Sequence, residues 1–64
     1  MNWTSIEQGV PRDALTVLVT YRDMYGHLDV TTAFHSKGVW MATDRTELLR
    51  VVAWALLPRP YTGE

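Results

Sequence analysis

His27 and His35 are the only imidazoles in this chain of 64 residues. They are also its only side chains whose ordinary titration falls near neutral pH. A metal centre needs three or four ligands in fixed geometry. His35 and Asp29 lie six positions apart, so an extended backbone places them on one face, but no third ligand joins them by pattern. The same spacing suits a solvated strand face. Ser36 beside His35, or Ser5 with a distant histidine, would pair a hydroxyl with a base. Neighbours in a tight turn do not aim at each other, and no pattern supplies oxyanion donors. Gly9, Gly26, Gly38 and Gly63 are scattered, so no phosphate-binding loop is formed. Cysteine is absent, which removes thiolate ligands and disulfides. The expectation is a protein that is not an enzyme, with no metal and no cofactor.

The aromatic residues carry the next choice. Tyr21, Tyr25, Phe34, Trp40 and Tyr61, with Arg22 and Lys37 near turns, would make a stacking platform for single-stranded nucleic acid. Six basic and seven acidic residues give a net charge of −1, and the basic ones are dispersed. Nucleic-acid binders usually show a basic stripe, which makes that reading the alternative. The competing use is a core of Trp3, Phe34, Trp40 and Trp54. A chain this short buries only about 60% of its surface on folding and needs its large rings inside. Tyr25, in a turn, is the aromatic expected to face outward.

The elements that must position these residues read mainly as strands, in one domain over residues 1–64. Residues 15–21 alternate, with Leu15, Val17, Val19 and Tyr21 on one face and β-branched residues prominent. Residues 22–27 form a connection in which Gly26 is free to take positive φ. Residues 28–35 alternate again: Leu28, Val30, Thr32 and Phe34 point inward, Asp29, Thr31, Ala33 and His35 outward. Ser36-Lys37-Gly38 reads as a hairpin turn into a third strand over residues 39–42, with Trp40 inward. Thr4 with Glu7 and Asp44 with Glu47 have capping-box spacing, which predicts a helical turn over residues 5–8 and allows a helix after residue 44. The rival for the second is a turn over residues 44–49 and a strand over 51–57, with Val52, Trp54 and Leu56 on one face. The strand is favoured by Val51-Val52 and by the stop at Pro58. The fold class is thus mostly β, with a small α+β variant open: three or four antiparallel strands with short helical turns.

Trp3-Thr-Ser, Pro11, Val17-Leu-Val, Gly38-Val-Trp40 and Val52-Ala-Trp-Ala-Leu-Leu-Pro-Arg-Pro60 follow one another in an order that resembles a family of short bacteriophage and prophage proteins of unknown function. Ala53 stands where that family usually has His before the last Trp, and Ala55-Leu56 where it has Met-Pro. The resemblance implies a small, mostly β domain, phage origin and work in the cytoplasm of an infected bacterium. It implies no activity. The longest apolar run, residues 51–57, is far short of the roughly 20 residues that span a bilayer. The first residues lack a basic stretch followed by an apolar one, so no secretory signal is expected.

The resemblance, together with the lack of any assignable site, implies an accessory protein that binds a host or phage protein, blocking or redirecting it. A structural or self-assembling module is a further alternative, and spare apolar residues (Leu18, Met24, Met41, Val51) make a homodimer conceivable. The candidate interaction surface is Tyr25, His27, Lys37 and Met41, on turns and an open edge.

Overall fold

The computed structural model describes residues 2–60 and residue 63. Six antiparallel strands form one sheet: β1 (Thr4–Ser5), β2 (Val17–Arg22), β3 (Leu28–Ser36), β4 (Val39–Ala42), β5 (Glu47–Leu48) and β6 (Val51–Ala55). Their spatial order is β1-β6-β2-β3-β4-β5. The fold is therefore mostly β as expected, with more strands than expected and no helix among the described residues.

Neither capping-box pattern starts a helix: the first falls on a strand and turn, and the oxygen of the second closes a turn. Thr4 is in β1, and Ser5 Oγ accepts from Glu7 N–H at 3.2 Å. Asp44 Oδ1 accepts from Thr46 N–H at 3.0 Å, closing a turn that leads into β5. Ser and Asp make such local bonds as readily before a turn as before a helix. The turn-and-strand alternative for residues 44–57 is the one that forms.

The sheet must be rolled. β5 and β6 are joined by only Leu49 and Arg50, yet three strands separate them in the sheet. In a flat sheet four strand spacings would hold them about 19 Å apart. The three Cα steps from Leu48 to Val51 reach at most about 11 Å. Rolling resolves the conflict and encloses one face. Val17, Val19, Ala33, Trp40 and Val51 meet there, with Leu15, Tyr21, Leu48 and Trp54 packed around them. Trp40 thus touches a cluster shared with β6, a strand that it does not neighbour in the sheet.

Two details decide which residues enter this core. Val17 pairs with Ala33 and Val19 with Thr31, so Ala33 and His35 share the core face of β2. The inward row assigned to residues 28–35 is the reverse of the expected one: Ala33 is fully buried, while Leu28 and Val30 are 57% and 52% exposed. Alternation identifies two rows but not which of them is covered. In β6, Thr20 faces Ala53 but Tyr21 faces Val51, leaving Val52 as an extra residue. This bulge puts Val51 and Trp54 on the same face and turns Val52 out. Val51 is accordingly core rather than spare surface, and the row Val52, Trp54, Leu56 does not form.

Of the four rings expected inside, Trp40 is buried, Phe34 and Trp54 are half-buried and Trp3 is exposed. Trp54 Nε1 donates to the carbonyl of Gly9 at 3.0 Å, tying the loop before β2 to the closing strand. Tyr61 lies outside the described residues.

Candidate interaction surface

The connection over residues 23–27 is a tightly determined turn. Asp23 N–H donates to His27 O at 2.9 Å and Gly26 N–H donates to Asp23 O at 3.0 Å. Asp23 Oδ1 accepts from the N–H groups of Tyr25 and His27, both at 2.9 Å. Arg22 Nη1 donates to Gly26 O at 2.7 Å. Gly26 has φ 82°, as its sequence context predicts. So many bonds within six residues hold the tip in one shape. That tip carries Met24 and Tyr25, 82% and 77% exposed, with the Tyr25 and His27 ring centroids 6.4 Å apart.

Beside the tip lies a groove of about 520 Å3. Tyr21 and Leu48, both half-buried, contribute to its lining, as do Met24 and Leu49. Leu49 is 84% exposed. It follows Leu48 at the end of β5, where an extended chain can turn only one of two successive leucines inward. Arg22, Arg50, Asp23 and Glu47 add alternating charge to the lining. Pairing of Arg22 N–H with Arg50 O at 3.0 Å fixes the two sides relative to each other.

The four residues singled out in the sequence do not form one surface. Tyr25 and His27 stand at one end of β3; Lys37, in the turn after it, stands at the other. The nine residues of β3 span about 26 Å. Met41 is half-buried opposite Phe34 in the middle of the sheet, on the face away from the main core. His35 is half-buried, with its ring 4.9 Å from that of Trp40 in an edge-to-face contact. That contact gives it a packing role. Asp29 shares its face, as the spacing predicts. Among the described residues no group of three or more His, Asp or Glu is gathered closely enough to hold a metal ion.

Met24 was visible in the sequence as spare apolar surface. Leu49 was not, because it fell in residues 44–49, which read either as a turn or as the start of a helix. The signal that would have found it is the pair Leu48-Leu49 read as the end of a strand.

Electrostatically this end is acidic around Tyr21. Its phenol is held above the usual value of 10.0 by partial burial first, then by the nearby carboxylates of Asp29 and Asp23, with Asp44 adding to the field. The chain matches no protein-family model, no curated protein and no solved structure. Among the described residues no helix is long and apolar enough to cross a membrane.

Proposed function

We propose that this protein works by binding another protein through the end of the sheet that carries Met24, Tyr25 and Leu49. The observation that carries this reading is the combination of exposure with rigidity. Three large apolar side chains stand out in solvent, two of them on a turn held by five hydrogen bonds in addition to its chain connectivity. A preformed apolar surface loses little conformational freedom on docking, which favours tight association from a small area. Tyr and Met are also residue types enriched where proteins meet.

The Asp23 carboxylate supports a protein partner over a nucleic acid, because it lies in the turn that carries the exposed Tyr25 ring and would repel phosphates there. The resemblance to short phage proteins supplies the setting: an accessory protein in an infected bacterium, acting on a host or phage protein by covering part of its surface. The test is capture of partners from a bacterial lysate by the tagged wild type and by the double variant Met24→Ser, Leu49→Ser. The expected result is a stoichiometric partner that the variant loses. A partner retained equally by a folded variant, or no partner at all, would sink the proposal.

A further inference from the structure

Among the described residues, nothing pairs with the outer backbone edge of β3 over residues 28–31. On one side β2 pairs with it from Leu28 to Ala33. On the other, β4 pairs only from Ala33 to Ser36. The direction of each backbone group follows from period-two alternation. The carbonyls of His27 and His35 accept from Asp23 N–H and Ala14 N–H, on the β2 side. The carbonyl of Thr32 accepts from Thr43 N–H at 3.3 Å, on the β4 side. Odd residues therefore point toward β2, and Leu28 and Val30 point out of the open edge. Val30 N–H fits this assignment: it donates to Asp29 Oδ1 at 2.8 Å rather than to a strand. The side chains of Leu28 and Val30 are more than half exposed on the adjoining face.

An open edge with two accessible apolar side chains is a template for strand addition. The residues around it select the occupant. A second copy fits poorly. Two-fold antiparallel pairing centred on Val30 would lay Leu28 of one copy over Thr32 of the other, where Thr43 is already bonded. Centring on Asp29 avoids Thr43 but sets two Asp29 carboxylates opposite each other, and like charges directly opposite are destabilising. Asp29 shares its face with Tyr21, where Asp23 and Asp44 are also felt, so the residue facing it should be a cation.

We infer that residues 28–31 of β3 accept an extended segment of a protein partner, with apolar side chains beside Leu28 and Val30 and a Lys or Arg opposite Asp29. On docking, Val30 N–H passes from the Asp29 carboxylate to a carbonyl of the incoming strand. The freed carboxylate then pairs with the incoming cation. Asp29 thus occupies the edge donor while the site is empty and reads charge when it is filled. The inference rests on the protein-binding reading and specifies how the partner is held.

The test uses the full chain, labelled with 15N, titrated with the peptide acetyl-Thr-Val-Lys-Val-Thr-amide and with its Lys→Glu counterpart. The expected result is saturable shifts centred on the amides of residues 28–31, slowed exchange at Val30, and about fivefold weaker binding of the Glu peptide. Asp29→Lys should reverse that preference. Val30→Pro, which removes an edge donor that β2 does not use, should abolish binding while leaving the remaining spectrum in place. If Val30→Pro unfolds the chain, the charge reversal still decides. Shifts elsewhere, no saturation up to the solubility limit, an unchanged preference in Asp29→Lys, or concentration-dependent pairing of the chain through these amides without peptide would overturn the inference. Should the peptides fail while the Met24, Leu49 variant still loses its captured partner, the strand-addition mode falls and the protein-binding reading stands.

Discussion

At the scale of single residues, two turns of one type differ at one position. In residues 23–27 and 42–46, the first N–H of the turn donates to the last carbonyl and the fourth N–H returns to the first carbonyl. The left-handed residue is Gly26 in one, at φ 82°, and Arg45 in the other, at φ 72°. A side chain there costs about 1 kcal/mol or more, partly offset by the greater freedom of glycine when unfolded. Gly26→Ala is expected to destabilise by about 1 kcal/mol, through φ alone, because nothing lies within 4 Å of the added carbon. Arg45→Gly should stabilise by about 0.5 kcal/mol. Urea unfolding of both variants checks the pair; a destabilised Arg45→Gly would contradict it. Asp44 supplies a pH signature in the second turn. Its carboxyl is held below 3.8 by the backbone N–H of Thr46. A lowered folded pKa contributes stability above the unfolded value and loses it as pH falls through the folded one. Thermal melts between pH 5 and about 2 should therefore fall less steeply for Asp44→Asn than for the wild type.

At the scale of elements, alternation located β2, β3 and β4 to within two residues at each end. The turn at Ser36-Lys37-Gly38 was equally legible, since Lys37 and Gly38 both take positive φ, at 54° and 79°, the pattern of a two-residue hairpin loop. The short β1 and β5 were not, because two residues show no period, and their polar starts resembled helix caps. β6 was found but its faces were misassigned, since a bulge is an insertion relative to a partner strand and has no mark in the strand's own pattern. Its consequence can be measured. Val51→Ala should cost about 2 kcal/mol. Val52→Ala, one residue on and turned outward, should stay within about 0.5 kcal/mol. Equal costs would remove the bulge from the account of β6.

For the whole molecule, the rolled sheet places its stability in a few long-range contacts. Among the described residues Trp40 is the only large ring that the roll buries, and it joins β4 to residues of β2, β3 and β6. Trp40→Ala should cost about 3–5 kcal/mol. A chain of this length holds roughly 3–10 kcal/mol in all, so the variant should be largely unfolded by circular dichroism at 25 °C. A cooperative, wild-type-like melt would show that the roll does not depend on this ring. The docking surface is also a property of the whole: Tyr21, Met24 and Leu49 come from separate elements and line one groove only because β5 returns to β6 beside the tip of the β2–β3 connection.

The sequence by itself determined the strand character, the glycine of the residues 23–27 turn, the hairpin at Lys37-Gly38, the inward Trp40 and the outward Tyr25. Each depends on period-two spacing, turn chemistry or ring size within a few residues. Only the tertiary structure decided which row of β3 is buried, that Val51 rather than Val52 is core, and that Leu49 joins Met24 while Lys37 stands a strand's length away. Those outcomes follow from closure. Once a two-residue link forces a six-stranded sheet to roll, the enclosed face is fixed by which strands approach, and no local pattern carries that distance.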